Sequence, residues 1–262
     1  MGNEDWKVAL AKQVPLKEVY NDLAQPVLSE LGRQLQGATR LALSPVSALV
    51  WGYDHIAAYL DVAIPQYFEN RKIAKEKIKT PDACVAVPLV EAMRYTAHKE
   101  EIRTMFTNLL GAAMNSDSGN EHPAFVEIVK QLSTDECRFL NHLYCVELKH
   151  GAVFPILKLK LNLKDGKGHT SLTPYFSDSS YKANCEFPER FPVYINNLQR
   201  LGLVDLRHDT HFTSDARYEP LREHPAFPNK AMFMNVEGEV VEHKAIFEFT
   251  EFGKQFCKAC IE

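Results

Sequence analysis

The residues best suited to chemistry in this sequence are a few cysteines and histidines. Cys257 and Cys260 are separated by two residues, the spacing of a redox pair or of half a zinc site. A structural zinc needs two further ligands at a comparable spacing, and the remaining cysteines are scattered. Because the pair lies in an amphipathic C-terminal segment, we interpret both cysteines as small apolar residues of the core.

Two other groups have residue types that bind metals. Cys137, His142, Cys145 and His150 lie in one helical segment, where ligands on one face are separated by three or four residues. Only His142 and Cys145 meet that condition. The segment "RHDTH" at 207–211 lacks a third and a fourth ligand. The sequence therefore predicts no metal site and no cofactor.

Catalytic motifs of the common enzyme classes are missing from the sequence. It has no GxSxG elbow, no GxxxxGK[ST] loop and no GxGxxG fingerprint. No cysteine is placed beside a histidine in a recognisable signature. We predict a protein that is not an enzyme, and an enzyme of an unrecognised toxin type is the alternative left open.

Length and composition are those of a globular protein with a near-neutral charge. The 262 residues suffice for two ordinary domains, and 45% of them are hydrophobic and 24% charged. A formal net charge of −4 gives no general reason to expect binding to nucleic acid or anionic lipid. The start "MGNEDWKVAL" has acidic residues where a signal peptide is basic, and six cysteines do not form a disulfide framework. We expect a reduced, cytoplasmic protein.

The first half of the chain has helical periodicity. Apolar residues recur every three or four positions over 12–42 and again over 44–64, where Pro65 is expected to end the helix. Pro88 is expected to open a further helical region. These patterns predict an all-helical bundle over residues 1–132.

The two halves meet in the stretch "EHPAFVEIVKQLSTDECRFLNHL" at 121–143. Ser133 and Glu136 have the spacing of a capping box, in which each side chain binds a backbone N–H that the helix start leaves without a partner. We therefore predict a helix, a break and a second helix, with a new domain over 133–262.

The second half has the periodicity of strands. In "ILKLKLNLKDGKG" at 156–168, leucines alternate with polar residues up to Asp165-Gly166, which predicts a half-buried strand entering a hairpin. The segment 232–249 predicts a second pair of short strands. A helix over 190–204 and a closing helix capped by Thr250 complete the pattern.

This order of elements resembles a winged-helix arrangement, in which a helix ends in a turn such as "LGLVDL" and a wing strand runs into a closing helix. The usual second helix is replaced by the Leu/Lys strand and a loop that reaches to about 187. The prediction is an α+β protein: an N-terminal all-helical bundle followed by a smaller winged-helix-like α/β domain with two short strand pairs.

The predicted helix over 190–204 offers residues that could contact nucleic acid or a protein partner: Arg190, Asn196, Asn197 and Arg200. Residues 151–262 contain 14 Lys and Arg against 15 Asp and Glu, whereas DNA-binding domains are normally basic. Lys158, Lys160, Lys164 and Lys167 form a basic stripe, which protection of a sheet edge explains as readily. We favour protein contact over DNA binding.

The most apolar stretch, at 41–60, raises the membrane as a partner. It carries Trp51 and Tyr53, and a basic run that includes Lys72, Lys75 and Lys77 comes after it, as in an interfacial helix with a polybasic neighbour. Polar residues interrupt the stretch well short of a membrane span. A buried helix of the bundle is the competing interpretation.

Three segments carry a resemblance to a known family. "SPVSALVWGYDHI" at 44–56, the stretch "TPDACVAVPLVEAMRYTAHKEEIRTMFTNLLGAAMNSD" at 80–117 and "HPAFVEIVKQLSTDE" at 122–136 resemble the Abi-alpha family. The C-terminal "YINNLQRLGLVDL" and "FEFTEFGKQFCKACI" are similar to the segments C-terminal to the helical core in that family, so the resemblance covers roughly 40–262. It is a bacterial family linked to abortive infection, the self-sacrificing defence against phage. The resemblance implies that role and supplies no catalytic residues.

Together these observations predict a non-enzymatic bacterial anti-phage defence protein. It would act through protein contacts or membrane association, with a protein partner or a second copy as the favoured partner and no small-molecule substrate. Its predicted location is the cytoplasm, with the inner face of the membrane as a site of peripheral association. The alternative is a winged-helix DNA-binding transcriptional regulator.

Overall fold

The computed structural model of the protein describes residues 50–119, 121–150, 153–164, 168–233 and 236–262. The predicted helix over 12–42, the start of the one over 44–64 and the Asp165-Gly166 turn lie outside these ranges. The chain divides into two compact units, Met1–Leu132 with Lys258–Glu262 and Ser133–Cys257. We call them unit 1 and unit 2.

The described part of unit 1 contains α1 (Tyr53–Asn70), α2 (Ala83–Thr96), α3 (Glu100–Met114) and α4 (Ala124–Lys130). Each helix buries the apolar face that its periodicity predicts. Side chains from all four are at most 1% exposed: Ile56, Leu60, Ile64, Leu89, Met93, Phe106, Leu109, Phe125 and Val129.

Two prolines lie inside helices of unit 1, so both sequence-based boundaries are wrong. α1 continues through Pro65 to Asn70, because Tyr67 and Phe68 beyond the proline are buried and offset the lost hydrogen bond. α2 begins before Pro88, because Asp82 caps it by accepting a hydrogen bond from the Cys84 amide at 2.8 Å.

Unit 2 begins at the predicted capping box, which is confirmed. The Ser133 amide donates to Glu136 Oε2 at 2.7 Å, and the Glu136 amide donates to Ser133 Oγ at 3.2 Å. The helix that starts there, α5, spans Thr134–His150.

A four-stranded antiparallel sheet forms the other layer of unit 2. Its strands are β1 (Val153–Asn162), β2 (His169–Ser171), β3 (Val204–Arg207) and β4 (Glu239–Phe249), in the order β2-β1-β4-β3. Leu157, Leu159 and Leu161 are buried on one face of β1, as the alternation predicts. The hairpin partner of β1 is β2, which pairs with its last three residues.

The second pair of short strands expected over 232–249 is wrong. The structure has one long strand there, β4 at Glu239–Phe249, which pairs with β1 along its length and with β3 at its end. Gly238 does not turn a hairpin there. It has a φ of +142°, and a Cβ at this position would lie 2.4 Å from the Asn162 carbonyl oxygen, so the glycine allows β4 to begin against the end of β1.

Four more helices belong to the described residues: α6 (Ser179–Lys182), α7 (Phe191–Arg200), α8 (Glu219–Glu223) and α9 (Glu251–Cys260). The Thr250 cap of α9 is confirmed, because Thr250 Oγ1 accepts a hydrogen bond from the Gly253 amide at 2.9 Å. The same hydroxyl donates to the Gly202 carbonyl at 2.6 Å and so ties α9 to the turn after α7. The predicted mixture of helices and strands is confirmed, whereas the all-helical bundle and the winged-helix-like domain stay predictions.

Candidate functional site

Helix α7 presents a defined outer face. Phe191, Tyr194, Ile195 and Leu198 are buried on its inner face, against an aromatic core that includes Phe139 and Phe247. The opposite side carries Val193, which is 62% exposed and lies in the first turn of the helix. Phe187, in the segment leading into the helix, is 40% exposed. We call Phe187, Arg190, Val193 and Asn196 the α7 face.

A buried carboxylate positions this helix. Asp135, on α5, accepts hydrogen bonds from the Glu186 and Phe187 amides at 2.7 and 2.9 Å and from the Tyr194 hydroxyl at 2.7 Å. Burial alone would raise the pKa of Asp135, but these hydrogen bonds outweigh it and lower the pKa. Burial and the bond to Asp135 raise the pKa of Tyr194. The charged carboxylate thus fixes the entry to α7.

Two of the predicted contact residues are engaged within unit 2. Asn197 Nδ2 donates to Glu136 Oε1 at 2.8 Å, and Arg200 donates to Asn197 Oδ1 from Nε at 3.1 Å and from Nη2 at 2.7 Å. Arg190 lies over the Phe187 ring, with its guanidinium carbon 4.3 Å from the ring centroid. Arg190, Asn196 and Arg200 are exposed, whereas Asn197 is half-buried and links α7 to Glu136 of α5.

The aromatic residues proposed for membrane contact pack within unit 1. The Trp51 ring stacks on His55 at a centroid distance of 4.0 Å, and the Arg103 guanidinium lies 5.5 Å from its centroid. The Tyr53 hydroxyl donates to Glu91, and Arg94 lies 5.0 Å from its ring. Both side chains are half-buried.

The basic residues proposed for the same contact lie at the other end of α1. Lys72, Lys75 and Lys77 are exposed, and Lys77 forms an ion pair with Asp117 at 3.1 Å. The 18 residues of α1 separate them from Trp51, which corresponds to about 27 Å of helix. The structure therefore does not bring the aromatic and basic groups together.

The cysteine pair has the position that the sequence predicts. Cys257 and Cys260 are both 0% exposed, and none of the six cysteines forms a disulfide. Among the residues that the structure describes, no three His, Cys, Asp or Glu side chains are grouped to hold a metal ion.

A cavity of about 360 Å³ in unit 2 has no counterpart in the sequence-based predictions. Its polar lining includes His142, Asp178, Ser179, Lys182 and Arg217, which come from separate segments that no local motif joins. Lys182 is paired with Asp178 at 2.6 Å. Burial and the charge of Lys182 lower the pKa of His142, which favours a neutral imidazole in the cavity wall.

None of the described helices combines the length and the apolar character that crossing a membrane requires.

Comparisons with known proteins give one family and one solved structure. The model of the family described as abortive infection alpha matches residues 61–260. No curated protein matches the chain. A solved structure of an uncharacterized protein from the hydrocarbon-degrading marine bacterium Alcanivorax borkumensis SK2 is 21% identical, and the match covers 50% of this chain and 88% of that one, with a TM-score of 0.35.

Proposed function

Because the chain belongs to the abortive infection alpha family, matching its model over residues 61–260, we propose that it is a non-enzymatic bacterial defence protein. It acts by binding another protein, or a second copy of itself, through the α7 face. Its proposed location is the cytoplasm. The observation that carries the proposal is the 62% exposure of Val193 in the first turn of α7, on the side opposite the buried face of that helix.

The order of elements in unit 2 supports a winged-helix-like domain as part of this proposal. Three strands pair in the order β1-β4-β3, α7 precedes β3, and α9 comes after β4. In DNA-binding domains of the helix-turn-helix type a recognition helix contacts the DNA, and the proposal gives α7 the corresponding role toward a protein. Within the proposal, unit 1 is the helical bundle that accompanies it.

The chemistry of the α7 face favours a protein partner over DNA. An exposed valine and an exposed phenylalanine suit the apolar centre of a protein interface. Asn197 and Arg200, which could have read base edges, are held by Glu136 and by each other. The balance of 14 basic and 15 acidic residues over 151–262 supplies no excess positive charge for the phosphate backbone.

Contact with a protein is also better supported than membrane attack. The apolar stripe of α1 is internal to unit 1, since Ile56, Leu60 and Ile64 are each 1% exposed. An interfacial helix would need that stripe on the outside.

The test is a phage challenge of bacteria that express the chain. We expect Val193→Arg to abolish protection while leaving the melting temperature close to that of the original protein, because an exposed valine contributes little to stability. Val62→Arg is the matched control, because Val62 is 58% exposed on α1 and should tolerate the same change.

Full protection by Val193→Arg would exclude the α7 face as the contact surface. Equal loss in the Val62→Arg protein would show that the effect is not specific to α7.

A further inference from the structure

A group of basic and aromatic side chains lies on one face of the sheet of unit 2. On β1, Lys158 and Lys160 point to the face opposite the buried leucines, and Lys158 is directly opposite His243 of β4. Tyr175 comes beside Lys158, because its neighbour Phe176 exchanges backbone hydrogen bonds with Leu157 at 3.0 and 2.7 Å. We call Lys158, Lys160, Tyr175, His208 and His243 the His243 cluster.

The members of the His243 cluster contact one another. The Tyr175 hydroxyl and His208 Nδ1 form a hydrogen bond of 2.9 Å, and their rings stack at a centroid distance of 5.4 Å. Lys158 Nζ lies 4.4 Å from the centroid of the Tyr175 ring, and the His243 ring lies 6.0 Å from it. Tyr175 thus contacts Lys158 of β1, His243 of β4 and His208, which comes directly after β3.

Edge protection does not explain the two lysines. A lysine protects a sheet when it stands on an unpaired edge strand. β1 is an inner strand, paired with β4 along its length and with β2 from Lys160 onward, and Phe176 pairs beside Lys158.

The positive charge of the cluster has no acidic partner among the residues that the structure describes. The ion pairs of these residues include neither Lys158 nor Lys160. Glu242 on β4 faces the other side of the sheet and binds Arg222 at 2.9 Å. Glu239 lies on the same face as the two lysines, opposite Asn162 at the start of β4.

The pKa of the His243 imidazole is lowered by burial and by the positive charge of the two lysines. Burial and then the charges of Lys160 and Lys158 lower the pKa of His243 to about 4, although a hydrogen bond with the His208 backbone acts in the opposite direction. Burial and Lys160 lower the pKa of Lys158 as well. Like charges packed together on a strand cost free energy that a bound anion would recover.

We propose that the His243 cluster is a binding site for a phosphate group. The lysine ammonium groups, the tyrosine hydroxyl and the histidine N–H groups are donors that several oxygens of one phosphate can satisfy together. The site does not stack a base, because the Tyr175 ring is occupied by His208 and Lys158. Free phosphate, a nucleotide and a nucleic-acid strand offer the same group.

The first test uses the full chain and inorganic phosphate. The His243 imidazole is followed by NMR over a pH series in phosphate and in chloride of equal ionic strength. We expect the pKa of His243 to rise toward the ordinary value of about 6.5 in phosphate, because a bound anion stabilises the imidazolium, and to stay low in chloride. Equal pKa values in the two salts would overturn the proposal.

Variants locate the site. Replacing both Lys158→Gln and Lys160→Gln should weaken phosphate binding roughly tenfold or more, since charge-assisted hydrogen bonds are lost. The Lys158→Arg and Lys160→Arg changes should retain binding because they keep the charge. Lys72→Gln with Lys75→Gln is the matched control, because both lysines are exposed and lie in unit 1. Unchanged affinity in the first variant would overturn the proposal.

A second arm separates the sources of the phosphate group. A short single-stranded oligonucleotide is titrated against the original protein and the double glutamine variant. Binding that is tighter than that of inorganic phosphate and depends on both lysines would support the site and assign it to a strand. Weaker binding, with phosphate still bound, would support the site and assign it to a small phosphate compound.

Discussion

At the scale of single residues, Asp135 shows how far a local pattern reaches. Ser133 and Glu136 are predicted to cap α5, and the structure confirms this cap. The sequence could predict it because the two partners are only three residues apart. Asp135 lies between them and looks like an ordinary acidic residue of a first helical turn. Its hydrogen-bond donors are about fifty residues away, at Glu186, Phe187 and Tyr194, so no local spacing could indicate its role.

We expect Asp135→Asn to lower the free energy of unfolding by about 2–4 kcal/mol at neutral pH, because three donors lose a charged acceptor. The folded-state pKa of Asp135 lies below the unfolded value of about 3.9, so this stabilisation is present above that pH and is lost as the pH falls through the folded value. The difference between the two proteins should therefore shrink in acid. Urea denaturation at pH 7 and at about pH 3 measures it.

The control for this change is Glu127→Gln, which removes a carboxylate that pairs with Lys130 on the surface of α4. We expect a loss well below 1 kcal/mol there. A difference for Asp135→Asn that stays constant down to the lowest pH would contradict the assigned role of the charge.

At the scale of elements, a local pattern predicts a helix or strand correctly unless contacts with residues far along the chain override it. The alternation of β1 identifies its buried face, but the pair of short strands expected over 232–249 is replaced by the single strand β4. Pro65 and Pro88 have the local signature of helix boundaries, and the burial of Tyr67 and Phe68 overrides the first of them. For the candidate site, the periodicity of α7 locates its outer residues, whereas the bond from Asn197 to Glu136 depends on α5, about sixty residues away.

Helix α9 begins against the backbone of the turn before β3. A Cβ on Gly253 would lie 1.9 Å from the Leu203 carbonyl oxygen. We expect Gly253→Ala to cost about 2–3 kcal/mol of stability, because a backbone atom cannot rotate away from the added methyl group. Thermal unfolding followed by circular dichroism measures the loss.

Gly52→Ala is the comparison for this change, since nothing lies within 4 Å of a Cβ there. This change should leave the midpoint temperature of thermal unfolding almost unchanged. Equal losses of stability for Gly253→Ala and Gly52→Ala would contradict the prediction, because the close approach of α9 to Leu203 would then not restrict the side chain at position 253.

At the scale of the whole molecule, charge separates the two candidate functions. The chain has a net charge of −4, and at α7 the basic side chain of Arg200 is bound to Asn197. The division into domains at 1–132 and 133–262 stays a prediction, namely that each part folds independently. Their separate stabilities depend on contacts throughout each unit, which a sequence pattern does not measure.

We expect the variant with both Lys158→Gln and Lys160→Gln to show no measurable affinity for duplex DNA at physiological salt, because α7 offers no concentrated positive surface. Fluorescence anisotropy over a range of salt concentrations, with a basic DNA-binding protein as positive control, measures this. A logarithm of affinity that falls linearly with the logarithm of salt would instead support the DNA-binding regulator.

The six cysteines can report local opening of the structure through their reactivity with a thiol reagent. Cys84 and Cys145 are exposed, and Cys137, Cys185, Cys257 and Cys260 are buried. A thiol reagent should modify the first two at once and the other four only when their surroundings open. The rate at each buried thiol, divided by that of an exposed one, gives the fraction of time for which its surroundings are open, so mass spectrometry can follow α5 and α9 separately in the unaltered protein.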